Sequence, residues 1–315
     1  MSEKIDISII IVNYNTKDLI RNCINSIYEH TKDINFEIIV SDNGSNDGSV
    51  KMLKADFPNV VLIENNANLG FGAANNRGLD IAKGKYIFYL NSDTVLLNNV
   101  VKLFFDYWEN ADNKDEIGAL GCMLQDENGN YIHSFGKFPT YRNEIKTLIK
   151  QNISISVNQI FSFLHIPNMH KDIIPCEVYT GEVDYVTGAD LFCRNNEFAR
   201  FDERFFLYFE ETDLQYKMYQ ANLRRKIITG PEIIHLTGQS NNAKRESIYR
   251  YISFSSREIL VSRLHYFMKN YYKTVPLKRV YILSVLYLTH LPFIMKTKDT
   301  RSRIKKLFKS ASFEE

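Results

Sequence analysis

The first 120 residues alternate short apolar runs with stretches in which apolar residues recur every three or four positions. The runs Ile7 to Asn13, Glu37 to Ser41, Val60 to Glu64 and Tyr86 to Leu90 predict strands. Helical spacing covers Lys17 to Glu29, Ser49 to Asp56, Gly72 to Ala82 and Asn98 to Trp108. This strand and helix alternation predicts an α/β fold, a mostly parallel sheet with helices on both faces. Turn-rich stretches, "DNGSNDGS" (Asp42 to Ser49) and "NNANLGFG" (Asn65 to Gly72), fall at strand ends, where ligand loops of such sheets lie.

Residues 115 to 185 are less regular and contain the hairpin-like "QDENGN". From Val183 the pattern tightens into a strand, a Gly-Ala turn, a Phe-rich loop, a helix at Glu211 to Ala221, a strand at Arg225 to Thr229 and the tail "PEIIHLTGQS". After Lys244 nearly everything reads as helix, so the expected boundaries are 1–115, 116–243 and 244–315, the first two being halves of one domain.

A chain of 315 residues with 44% hydrophobic and 24% charged residues has room for a substantial core and ordinary globular composition. Cys23, Cys122, Cys176 and Cys193 lie far apart with no CxxC pair, which argues against a zinc site or disulfide framework and suits a reducing, cytoplasmic setting. The apolar run Ile7 to Val12 is too short for a signal peptide and lacks a small-residue cleavage site, so it reads as a first strand. Net charge is +2 but unevenly spread: residues 244–315 carry 16 Lys and Arg against 5 Asp and Glu, and residues 1–243 carry 23 against 32. Such a split points to an anionic partner, a membrane surface or nucleic acid, and no nucleic-acid-binding module accompanies it.

Five places could carry chemistry. The strand "KYIFYL" runs into Asn91, Ser92 and Asp93, which suits either a polar cap on the next element or a carboxylate at the sheet's ligand-binding edge. The first strand ends in Asn13, Tyr14 and Asn15, beside Asp42 at the end of the second. An aromatic plane and a carboxylate suit a pyrimidine base, one stacking and the other accepting its imide N–H, while a carboxylate satisfied by loop N–H groups also accounts for Asp42. In "NLGFGAANNRG", Gly70 and Gly72 resemble a phosphate-cradling turn, but Asn75 stands where a dinucleotide fold needs Gly and no GK[ST] follows. Glu210, Glu211 and Asp213 open an amphipathic helix, where the helix dipole alone favours acids. The preceding Phe205, Phe206, Tyr208 and Phe209 offer apolar surroundings that would raise a carboxylate toward a usable base. His235 closes an apolar strand, as a structural histidine or a ligand.

Taken in order, "VNYN", "SDNGSNDGS", "NLGFGAANNRG", "LNSDT", "GAD", "FDERFFLYFEETDL" and "IIHLTGQS" resemble the family 2 glycosyltransferases of GT-A fold, over about residues 5 to 240. The resemblance implies a nucleotide-sugar-binding half (1–115) and an acceptor-binding, catalytic half (116–243) of one GT-A domain. Asp93 matches the last Asp of the family's D-x-D motif, which holds Mg²⁺ or Mn²⁺ on the donor diphosphate, with His235 as a further metal ligand. Glu211 matches the base for inverting transfer. Tyr14, Asp42 and Asn76 would hold the nucleoside, with Asn15, Asn91, Ser92 and Asp213 also at the substrate, unless Asp213 only caps its helix. The motif here is Asn91-Ser92-Asp93, and an amide adds no charge to neutralise the cation. It resembles an "LN-x-D-T" variant frequent among rhamnosyltransferases, which points to dTDP-L-rhamnose as donor, or else a UDP-hexose, and to a glycan or polyprenyl-linked acceptor in cell-surface polysaccharide synthesis.

Two rival readings are a nucleotidyltransferase, whose Gly-rich signature with Arg is absent from "VNYNTKDL", and a catalytically inactive sugar-nucleotide-binding protein, for which Asn91 speaks. The 16-residue run Val280 to Met295 is largely apolar but contains Ser284, Thr289, His290 and Pro292; it is short of a ~20-residue span, and basic residues flank it. It predicts a helix lying on an anionic leaflet at the inner face of the membrane, or else a helical subdomain packed on the core or on a second subunit in a homodimer.

Overall fold

The computed structural model describes residues 4–140, 177–236 and 254–271, together with single positions 142, 143, 146, 276, 280 and 302. Strands β1 (Ile7–Asn13), β2 (Phe36–Asp42), β3 (Val61–Glu64) and β4 (Tyr86–Asn91) alternate with helices α1 (Lys17–His30), α2 (Ser49–Asp56) and α3 (Phe71–Leu79). Then follow β5 (Thr94–Leu96), α4 (Val100–Glu109), β6 (Ile117–Cys122), β7 (Phe135–Gly136), β8 (Gly181–Val183), β9 (Tyr185–Val186), β10 (Asp190–Arg194), α5 (Glu210–Gln220), β11 (Arg224–Ile228), β12 (Ile233–His235) and α6 (Phe254–Asn270).

The main sheet has the order β3-β2-β1-β4-β10-β6-β11-β8. β1 and β4 are buried on both faces and rich in Ile and aromatic residues, as central parallel strands covered by helices must be. β10 is the departure from a purely parallel sheet: it inserts antiparallel between β4 and β6, and β8 closes the edge antiparallel to β11. Strands from residues 116–243 thereby extend the same sheet that the first half begins. Two small ribbons sit apart from it, β5 with β12 and β7 with β9.

One sheet face packs Ile9, Phe88 and Phe192 against α1, α2 and α4, including Phe104 and Trp108. The other packs Ile10, Tyr89 and Leu191 against α3 and α5 through Leu79, Leu214 and Met218. The Phe192 ring stacks on both Tyr86 (5.2 Å) and Phe104 (5.4 Å). Removing such a ring from a closed core costs about 3–5 kcal/mol. The Tyr86 hydroxyl is satisfied by Glu109 Oε1 at 2.8 Å, and Lys85 and Lys114 also pair with that carboxylate.

The chain divides into two compact units. The first comprises Met1–Phe138, Pro175–Phe206 and Glu210–Asn242, and holds the sheet and α1 to α5. The second comprises Pro139–Ile174, Leu207–Phe209 and Ala243–Glu315. Within it, Ser262 on α6 donates to the Leu207 carbonyl at 2.9 Å and Tyr266 lies 5.6 Å from the Phe209 ring. The expected membrane-lying run lies outside the described residues except for Val280, and among the described residues no helix is long and apolar enough to cross a membrane.

Candidate active site

The C-terminal ends of β1, β2 and β4 gather the first group of candidates. Asp42 is 1% exposed: Asn13 Nδ2 donates to its Oδ2 at 2.7 Å, and the amides of Gly44 and Ser45 donate to Oδ1 at 3.0 and 2.9 Å. The carboxylate therefore organises its own loop first and keeps one acceptor position on Oδ2 for a ligand. Asn15 adopts φ 55° and locks the two loops together, its N–H donating to Ser45 Oγ and its Oδ1 accepting from the Asn46 amide. Tyr14 beside them is 48% exposed.

Asn76 is differently employed. It is 1% exposed on α3, its amide donating to the Phe201 carbonyl and Glu203 and accepting from the Phe201 N–H. It pins the 201–203 segment, a task that occupies the group expected at the nucleoside. Gly70, before α3, has φ 90°, and a Cβ there would stand 2.2 Å from the Phe206 carbonyl oxygen. That carbonyl also accepts the Phe71 N–H at 2.9 Å. The glycine thus serves a close backbone approach, and the first N–H of α3 is already taken.

At the end of β4, Ser92 accepts from the Thr16 hydroxyl at 3.0 Å, tying this turn to the start of α1. The turn leads into β5, which pairs antiparallel with β12 so that His235 faces Thr94 in register. The pairing brings His235 Nε2 to 3.2 Å from Asp93 Oδ1 and 3.5 Å from Asn91 Nδ2. Residues 144 positions apart in the chain so form one cluster, with Asp93 5% exposed. A carboxylate and an imidazole on one side are a fitting set for Mn²⁺ or Mg²⁺ whose remaining ligands are diphosphate oxygens and water. Among the described residues no three His, Cys, Asp or Glu side chains form a metal cage, so a cation here would lean on the substrate's oxygens.

The acidic helix joins this cluster through Thr187 to Asp190. A Cβ on Gly188 would lie 3.5 Å from Glu211 Cβ, and the Ala189 carbonyl accepts the Asn91 N–H at 3.1 Å. Gln215 secures α5 one turn further on by bonding both the N–H and the carbonyl of Val186. Burial raises Glu211 above the usual carboxylate range, and burial together with the Glu211 charge raises Glu210 further. Tyr185 is pushed up to about 12 by burial and then by Glu211. Asp213 is 4% exposed on the same first turn. Asp190 was read only as part of "GAD", yet its carboxyl is fully buried at the seam and pushed up to about 7 by burial, against the Cys122 amide and the charge of His235. A carboxylate within an apolar strand was the available signal.

The sequence model described as "Glycosyl transferase family 2" matches residues 8–165, half of the chain. The chain belongs to glycosyl transferase family 2. An uncharacterised glycosyltransferase of Methanocaldococcus jannaschii is 32% identical over 155 residues, 47% of this chain and 53% of that protein. The N-acetylglucosaminyl-diphospho-decaprenol L-rhamnosyltransferase of Mycobacterium tuberculosis is 24% identical over 214 residues, 63% of this chain and 66% of its own length. This family 2 chain thus spans between half and two thirds of those two relatives. Among solved structures, GalNAc-T7 with UDP, GalNAc and Mn²⁺ aligns with 100% of this chain and 57% of its own, at TM-score 0.57 and 15% identity. That likeness establishes the GT-A fold.

Proposed function

We propose that the protein transfers a sugar from a nucleotide donor to a hydroxyl of a glycan or lipid-linked glycan, with inversion and with Mg²⁺ or Mn²⁺ assistance, in cell-surface polysaccharide synthesis. The observation that carries this reading is the pairing of Asp93 and His235 at the sheet's C-terminal edge, joined through residues 187–190 to a carboxylate whose burial makes it a base. Tyr14 stacks on the base and Oδ2 of Asp42 accepts its imide N–H. Asp93 and His235 would hold a divalent cation, which when bound would supply charge neutralisation at the leaving diphosphate. Glu211 takes the acceptor proton as the oxygen attacks the anomeric carbon from the opposite face, and its burial raises its affinity for protons, as a general base requires.

Asn91 in place of an acid favours dTDP-L-rhamnose as donor, with a UDP-hexose next, and the rhamnosyltransferase among the relatives supports that choice and a polyprenyl-linked acceptor. The basic 244–315 region is assigned to an anionic leaflet, where each basic residue contributes ~1 kcal/mol. Incubation of the purified protein with a panel of nucleotide sugars and either cation, measuring nucleotide release, tests the transfer. Release that is absent with every donor, or indifferent to chelation, would overturn it. Flotation with anionic liposomes, compared with a chain ending near Lys273, tests the membrane contact; equal flotation of both would refute it.

A further inference from the structure

Asn13, at 0% exposure where β1 ends, fixes the polarity of the groups around it. Its Nδ2 lies 2.7 Å from Asp42 Oδ2 and 3.0 Å from Ser45 Oγ, and its Oδ1 accepts the Thr16 hydroxyl at 2.7 Å. An ionised carboxylate only accepts, so the amide must turn its N–H₂ to Asp42, and the second N–H then goes to Ser45. The backbone N–H of Asn15 donates to the same Ser45 oxygen at 2.9 Å. A hydroxyl has two lone pairs and one proton. Both lone pairs of Ser45 are therefore taken, and among the described residues no acceptor takes its proton. Ser45 is half-buried in the turn whose amides hold Asp42 Oδ1, its own N–H among them at 2.9 Å. Its side chain is left with one capability, to donate.

The two oxygens bonded to Asn13 Nδ2 thus face a ligand with opposite and fixed polarity, Asp42 Oδ2 as acceptor and Ser45 Oγ as donor. Uracil and thymine offer the complement: an imide N–H with a carbonyl on either side. Cytosine offers a bare ring nitrogen and an amino group instead. We infer that Ser45 is a specificity-determining residue of the donor site: its hydroxyl donates to a carbonyl beside the imide N–H that Asp42 accepts. The pair selects uracil or thymine nucleotides against cytosine. With cytosine, Asp42 would meet a lone pair, and Ser45 would have no lone pair left to receive the amino group. The inference rests on the proposed nucleoside role of Tyr14 and Asp42, and it adds a contact which that reading does not use.

The experiment is titration calorimetry of the full-length protein with Mg²⁺ and UDP, dTDP, CDP, 2-thio-UDP or 4-thio-UDP, in wild type, Ser45→Ala and Ser45→Thr. CDP should bind wild type at least ~10-fold more weakly than UDP, since a mispaired polar group loses its solvation without return. Ser45→Ala should weaken UDP by about 3- to 10-fold, the usual worth of one neutral hydrogen bond, and Ser45→Thr, which keeps the hydroxyl, should restore it. Alanine also deprives Asn13 and Asn15 of an acceptor, so the deciding readout is a cycle between protein and ligand. Sulfur is a poor acceptor, so one of the two thio-nucleotides should bind wild type more weakly by a similar factor, and that replacement should cost nothing further in Ser45→Ala. A merely loosened loop would weaken every nucleotide alike and leave the cost of sulfur unchanged. Unchanged UDP affinity in Ser45→Ala, or a cost of sulfur equal in wild type and variant for both analogues, would overturn this inference alone. CDP binding as tight as UDP, or no binding of either UDP or dTDP, would remove the nucleoside reading and this inference with it. Should Ser45→Ala fail to fold, wild type still decides: two thio-nucleotides that bind as tightly as UDP refute the carbonyl contact.

Discussion

Alanine at Gly70, set beside alanine at Gly48, separates backbone strain from steric approach. Both glycines have positive φ, 87° with ψ 10° at Gly48 and 90° with ψ 175° at Gly70. At Gly48 an added Cβ meets nothing nearer than Lys17 Nζ at 3.8 Å, the mobile tip of a long side chain. Only left-handed strain remains there, about 1–2 kcal/mol. At Gly70 the backbone pair is essentially confined to glycine, at about 1–3 kcal/mol for another residue. The new Cβ would also stand 2.2 Å from the Phe206 oxygen and 2.9 Å from its carbonyl carbon, so main chain must move. The Phe71 N–H bond to that oxygen goes with it, about 1 kcal/mol more. Loosened packing of Phe201 on Phe71 and Tyr89, rings 6.0 and 4.9 Å apart, brings the total to roughly 3–5 kcal/mol. Urea denaturation followed by the fluorescence of the chain's one tryptophan, the buried Trp108, reads this unit directly. A Gly70→Ala cost no larger than that of Gly48→Ala would refute the close-approach argument.

Asp93→Ala should abolish transfer and weaken cation-dependent nucleotide binding, while Asn91→Asp is tolerated and tightens the cation; titration calorimetry with and without Mn²⁺ checks both. Glu211→Gln should lose at least ~10²-fold in turnover with donor affinity little changed, and steady-state kinetics in which Asp213→Asn proved the more damaging would exchange their roles. Glu109 is held down to about 2, chiefly by its bond to Lys85, which outweighs the opposing cost of burial, with a smaller lowering from Tyr86. A depressed carboxylate stabilises the fold fully above its unfolded value of 4.5, and that contribution vanishes as pH falls through about 2. Stability curves of wild type and Glu109→Gln should therefore differ by about 1–3 kcal/mol near pH 6, allowing for partial exposure, and converge toward pH 2; a gap independent of pH would exclude this account.

Local pattern was enough wherever a residue's surroundings come from its own segment. The continuous apolar runs of β1 and β4 and the 3.6-residue spacing of α1 and α2 place those elements within a residue or so of their observed ends, because burial on both faces or on one stripe is written into the order of side chains. Motif order led to the glycosyltransferase family in the same way, since the first four motifs lie at or just after the C-terminal ends of strands that the alternation places.

What needed the tertiary structure were the pairings between distant segments. Nothing near Thr94 or Ile233 says that these short stretches pair and carry His235 to Asp93, because a three-residue strand has no periodicity of its own and exists through its partner. Asn76 read as a donor-binding amide until Phe201 and Glu203, more than 120 residues away, claimed its hydrogen bonds. Asp190 looked like one polar residue in an apolar strand; its meaning came from the Cys122 amide and the interrupted β10–β6 ladder, neither of them a sequence neighbour. Sequence determined which side chains stand at the ends of strands, since that depends on local order. The fold decided which of those side chains satisfy one another and which are left for a ligand, since hydrogen-bond partners are chosen by proximity in space.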